Sequence, residues 1–78
     1  MDIVKAKDYF FLGVLKAATV HAPSVMHPSG WTIHFDGKLG DANPVFKTMR
    51  GEVRHFKTLD AAAKVLAEIG FKKWSVQT

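Results

Sequence analysis

The stretch that decides the fold is VFKTMRGEVRHFKTLDAAAKVLAEIG, residues 45–70. Two short runs, Val45 to Met49 and Val53 to Phe56, alternate apolar with polar residues around Arg50-Gly51. A period of two marks a half-buried strand, and glycine at the second turn position supplies the positive φ of a tight hairpin. The period then changes. Thr58 can cap a helix by accepting a backbone N–H, and Asp60 in the first turn complements its positive end. Leu59, Ala62, Ala63, Leu66 and Ile69 fall on one stripe, with Val65 beside it. Lys64 and Glu68 form an exposed i, i+4 pair on the other side. Gly70 stops the helix, and Phe71 can fold back on its last turn. The expectation is a hairpin followed by an amphipathic helix.

Outward from this unit the signals are shorter. Trp74 and Val76 alternate with Lys73, Ser75 and Gln77, which reads as a last strand. Trp31-Thr32-Ile33-His34-Phe35-Asp36 reads as a strand with Trp31, Ile33 and Phe35 inward, ended by Asp36-Gly37. Residues 22–30, APSVMHPSG, form a loop rich in turn residues. Asp2 can cap a first helix that carries Ile3, Val4, Phe10, Phe11, Val14 and Leu15 on one side, with Lys5, Asp8 and Leu12 on another. Gly13 suits the position after a helix ending at Leu12. Val14 to Val20 then reads as a strand, with continuation of the helix through Ala17 and Ala18 as the alternative. The expected order is α-β-β-β-β-α-β: one α+β domain over residues 1–78, an antiparallel meander packed against helices.

The totals narrow the function classes. A chain of 78 residues buries only about 60–65% of its unfolded surface, so the core is small. With no cysteine there is no disulfide framework, thiolate metal site or thiol nucleophile, which fits a reducing cytoplasm. The net charge is +4, of which residues 41–78 carry +3 (seven Lys/Arg against four Asp/Glu) and residues 1–40 carry +1 (four Lys against three Asp). A basic second half points to an anionic partner. The apolar run Tyr9 to Leu15 is too short to span a membrane, so no membrane partner is expected. Asp8 at its start, Lys16 at its end and the lack of a clear cleavage box separate it from a signal peptide.

The basic hairpin is the main candidate site. Lys47, Arg50, Arg54 and Lys57 face only Glu52 between residues 47 and 57. If Arg50-Gly51 is a two-residue turn, Lys47 stands opposite Arg54. If Met49 to Gly51 form a three-residue turn with Gly51 as a bulge, Lys47 faces Val53 and Arg54 faces Phe46. Cations on a two-stranded ribbon can contact nucleic-acid phosphates, with Arg50 and Arg54 touching phosphates or base edges and Lys47 and Lys57 flanking them. A solvated hairpin tip that discourages edge aggregation would carry the same charges. Trp31 and Trp74, large rings on short strands, are the candidates for a homodimer or other protein-partner surface.

The remaining polar residues make no recognisable reaction centre. His21, His27, His34 and His55 form no HxxH or HxxxH pair, and a metal site would have to be gathered from distant segments with Asp36 or Asp41. The loop from Asp36 through Asp41 to Asn43 lacks the ligand spacing of a calcium loop and reads as turn chemistry. Ser24 and Ser29 sit in no nucleophile elbow. The chain is therefore expected to be no enzyme and to carry no cofactor. A site built from His34 and His55 is the remote exception.

One longer pattern carries a resemblance. Gly30-Trp31, then Thr48-x-Arg50-Gly51-Glu52-x-Arg54-x-Phe56-Lys57-x-Leu59-Asp60-x-Ala62, then Leu66-x-x-Ile69-Gly70, resembles small proteins of bacterial plasmids and integrating conjugative elements, some labelled ParC-family partition-associated proteins. The resemblance covers roughly residues 30–77 and rests on a turn, a cap and a helix stop. It implies a cytoplasmic accessory protein of a mobile element acting near DNA, with no catalytic role. The two expectations carried forward are a non-enzymatic protein that contacts nucleic acid through its hairpin, and a self-associating protein–protein adaptor.

Overall fold

The computed structural model describes residues 1–25, 28–40 and 44–78. The elements in chain order are helix α1 (Ile3–Phe11), strand β1 (Leu15–His21), strand β2 (Thr32–Gly37), helix α2 (Leu59–Ile69) and strand β3 (Ser75–Gln77). The class is α+β, with the helices and sheet sharing one core.

Both helices are bounded as their caps dictate. The Asp2 carboxylate accepts from the Lys5 N–H at 2.9 Å, and the Thr58 hydroxyl accepts from the Ala61 N–H at 3.1 Å. At the end of α1 the Val14 N–H reaches back to the Tyr9 carbonyl at 2.9 Å, and at the end of α2 the Phe71 N–H reaches the Leu66 carbonyl at 3.0 Å. Each bond satisfies a carbonyl that the last helical turn leaves open. Phe71 is buried against α1, its ring centroid 4.8 Å from that of Phe10.

The helical stripes differ in quality. On α2, Ala62, Leu66 and Ile69 are buried, as the spacing predicts. On α1 the buried centre is Ala6, and Val4 and Phe11, expected on the inner side, face solvent. Ile3, Ala6 and Phe10 make an i, i+3, i+7 set packed on the core, and Val4 and Phe11 fall outside it. Glu68 lies 4.0 Å from Lys7 of α1, which replaces the expected Lys64–Glu68 pair.

The sheet has the order β2-β1-β3. β1 and β2 are antiparallel, with Val20 opposite Ile33 and Ala18 opposite Phe35, and all four are buried. β3 runs parallel to β1, pairing Thr19 with Ser75 and His21 with Gln77. The expected antiparallel meander is therefore a mixed sheet with fewer strands. The runs 45–49 and 53–56 appear as isolated bridges, Lys47 with Val53, His34 with Val45 and Trp31 with Phe56. Their hydrogen bonds are divided among several neighbours. The Phe46 N–H bonds to Ile33, the Lys47 N–H to Met1 and the Arg54 N–H to Phe46. No partner runs alongside for more than a residue or two, so no ladder develops. The segment nevertheless closes the outer edge of β2 and places Phe46 and Phe56 in the core.

Candidate functional site

The hairpin takes the longer of its two registers. The Gly51 N–H donates to the Thr48 carbonyl at 2.9 Å, and the Thr48 N–H donates to the Glu52 carbonyl at 2.7 Å. Met49 to Gly51 thus form a three-residue turn closed by Gly51 at φ 88°, in the left-handed region that favours glycine. Lys47 faces Val53, and the Arg54 N–H bonds to the Phe46 carbonyl at 3.0 Å. The extra turn residue prevents Lys47 and Arg54 from standing directly opposite each other, a like-charge pairing that destabilises a ribbon.

Aromatic packing orients Arg54. Its guanidinium carbon lies 5.0 Å from the centroid of the Phe56 ring, which stacks 6.1 Å from Phe46. Such a cation–π contact holds the guanidinium plane while its N–H groups remain available at the surface. Lys47 and Arg54 line one shallow depression of about 230 Å³, together with Phe46, Met49, Val65 and Glu68. Arg50 at the turn and Lys57 at the bend before α2 are exposed and lie outside this depression. Two of the four expected cations therefore converge, and two flank them. Among the described residues, none of the four is ion-paired with a carboxylate.

The start of the chain is joined to the same segment. The Met1 carbonyl accepts from the Lys47 N–H at 2.7 Å, and its amino group donates to the Val45 carbonyl at 3.1 Å. Burial, then the charge of Lys47, hold that amino group below its ordinary pKa.

A second feature lies on the other face of the sheet. His21, His34 and His55 line one cavity of about 500 Å³. The His21 and His34 ring centroids are 4.1 Å apart, and His34 Nε2 is 3.4 Å from the Thr32 hydroxyl. Burial, then the neighbouring His21, push the His34 pKa down. Among the described residues, no group of three His, Cys, Asp or Glu is placed to hold a metal ion. The Asp36 carboxylate accepts from the Gly37 N–H at 2.9 Å, a turn contact. His27, Asp41 and Asn43 lie outside the described residues.

Trp31 and Trp74 are half-buried and packed against the core. Large exposed apolar side chains lie elsewhere: Phe11, 86% exposed, and Leu12 at the end of α1, Val4 in its first turn, and Met49 at the hairpin tip. The signal for the α1 patch was present in the sequence. The set centred on Ala6 is inward, so Phe11 falls outside it.

A ParC-like family model matches residues 4–78. The chain belongs to the ParC-like family. The match takes in α1, β1 and the loop after it as well as residues 30–77, so the family pattern spans both halves of the ParC-like fold. No curated protein and no solved structure matches the chain significantly. Among the described residues, no helix of this ParC-like chain is long and apolar enough to cross a membrane.

Proposed function

We propose that this ParC-like chain is a non-enzymatic accessory protein of a bacterial mobile element, acting in the cytoplasm, that contacts nucleic acid through its 45–57 hairpin. The observation that carries this reading is the state of the hairpin cations. Lys47, Arg50, Arg54 and Lys57 have no carboxylate partner among the described residues, and the Arg54 guanidinium lies over the Phe56 ring. An uncompensated basic ribbon attracts phosphates and releases their counterions on binding. Arg50 and Arg54 reach phosphates or base edges, and Lys47 and Lys57 supply flanking phosphate contacts.

The test is a gel-shift titration against salt. With four phosphate contacts on duplex DNA, log K falls against log salt with a slope of about −3.6. Arg50→Ala/Arg54→Ala makes that slope shallower by about 1.8. Unchanged affinity and slope in the double variant would remove the hairpin from any nucleic-acid role.

A second reading, a self-associating protein–protein adaptor, is favoured by one observation. Phe11 and Leu12 at the end of α1, and Val4 in its first turn, are exposed apolar side chains. Trp31 and Trp74, the rings expected to mark a partner surface on the sheet, are half-buried against the core. Sedimentation of wild type and Phe11→Ser separates the readings. An adaptor shows a dimer that the substitution dissolves, together with no response to DNA.

A further inference from the structure

The depression beside the hairpin lies where three parts of the fold meet. Ile3 comes from the first turn of α1, Val65 and Glu68 from α2, and Lys47, Met49 and Arg54 from the hairpin segment. Val65 and Glu68 stand three apart on a helix and are therefore neighbours on one face. Ile3 and Val65 are half-buried and packed on the core, while Met49 is 68% exposed at the turn. The result is an apolar lining with one cation from each run of the hairpin and one carboxylate from the helix.

Cations alone would serve any nucleic acid, because single strands and duplexes carry the same phosphates. The apolar lining separates the two. A duplex keeps its base faces stacked inside and offers phosphate and sugar to a ribbon that tracks its backbone, so a concave apolar surface beside the cations gains nothing. A single strand offers unstacked bases whose faces can be buried against side chains next to the phosphate contacts. The size suits one ring system, since about 230 Å³ lies below the roughly 300–1,000 Å³ of sites for drug-sized ligands. Glu68 adds a choice among bases. Its Oε1 lies 4.0 Å from the Lys7 Nζ in an exposed pair, a weak contact that leaves the carboxylate able to accept from another donor. A carboxylate accepts from the exocyclic amino group of cytosine and repels the carbonyl that thymine carries at the same position.

On the nucleic-acid reading of the hairpin, on which this rests, we infer that the depression holds one unpaired base of a single strand, with a preference for cytosine over thymine or uracil. The base lies against Ile3, Met49 and Val65, its amino group donates to Glu68, and Lys47 and Arg54 hold the phosphates on either side. Arg50 and Lys57, outside the depression, contact phosphates further along the strand. The Arg54 guanidinium carbon already lies 5.0 Å from the Phe56 ring centroid, so part of the cost of ordering that side chain is met before the strand arrives.

The experiment is a fluorescence-anisotropy titration of the whole chain with labelled oligo-dC, oligo-dT, oligo-rC, oligo-rU and a mixed-sequence DNA duplex, each of about twelve nucleotides per strand. In at least one of the two sugar series the cytosine strand should bind about fivefold or more tighter than the thymine or uracil strand, and about tenfold or more tighter than the duplex. Glu68→Ala should bring the cytosine preference down to about one. Met49→Ala, at an exposed turn position where the fold is not at stake, should weaken the single strands about fourfold or more and leave the duplex unchanged. Duplex bound as tightly as the single strands would overturn the base site and leave the hairpin reading in place. Single-strand binding that neither variant alters would do the same. Binding to none of the probes would overturn both.

Discussion

Replacing Gly51 by alanine tests the hairpin register directly. Gly51 sits at φ 88°, and a Cβ built there meets no atom within 4 Å. The whole cost is therefore conformational, with no clash to relax. An L-residue forced into the left-handed region loses roughly 1–2 kcal/mol, and the stiffer unfolded chain offsets about 0.4–1 kcal/mol of that. The net expectation for Gly51→Ala is a loss of about 1 kcal/mol, and Gly51→Asn should cost clearly less because asparagine tolerates that region. For a domain of 60–100 residues, 1 kcal/mol corresponds to a fall in Tm of about 4–8 °C. Equilibrium urea unfolding followed by tryptophan fluorescence measures both variants, with an unchanged m-value as the check that only stability moved. Equal stability of alanine, asparagine and wild type would refute the three-residue turn, and with it the placing of Lys47 opposite Val53. A loss far above 2 kcal/mol would refute the open space around the turn.

Other outcomes follow from the core, the cap and the sheet. Leu66 is fully buried between the helices and the sheet, so Leu66→Ala should cost about 2–5 kcal/mol, read by the same unfolding assay. Total stability for a chain of this size is about 4–12 kcal/mol, so the variant should be partly unfolded at 37 °C. Thr58→Ala removes the hydroxyl that accepts from the Ala61 N–H and should cost about 1 kcal/mol, largely recovered by Thr58→Ser or Thr58→Asp. His34 has a folded pKa below its unfolded value near 6.5, so the unfolded chain binds more protons in that window. Stability should be flat above pH 6.5 and decline as pH falls through 6.5 toward the folded pKa, and His34→Gln should flatten that decline in a urea series against pH.

What could be read from the sequence is what short-range physics decides. Thr58, Asp60, Leu66 and Gly70 determine α2 within one stretch of chain, and Asp2 and Gly13 bound α1 in the same way. The α1 face was harder to read because alanine carries a weak hydrophobic signal. The fully buried residue of α1 is Ala6, and the bulkier Val4 and Phe11 turn outward. The hairpin charges were legible as a group, but two registers were open. The choice depends on Thr48 and Glu52 closing the turn and on the Lys47 N–H finding the Met1 carbonyl, 46 positions away in sequence (47 minus 1). The histidine cavity was not legible. His21 and His34 meet through the β1–β2 register, and His55 joins them through bridges from the hairpin segment to β2. No local spacing records a cavity lined from three separate segments.

The parallel seam between β1 and β3 gives the molecule a weak side. It joins residues 19–21 to 75–77, so it closes a loop running through most of the chain, at the entropic cost of a long-range pairing. β3 is three residues long, and every one of them is exposed. Peeling it away sacrifices little buried surface, so amide hydrogens here should exchange first. Gln77 stands on the wall of the histidine cavity. Each brief detachment of the strand would therefore widen the way in to those rings while the helices and the hairpin stay in place.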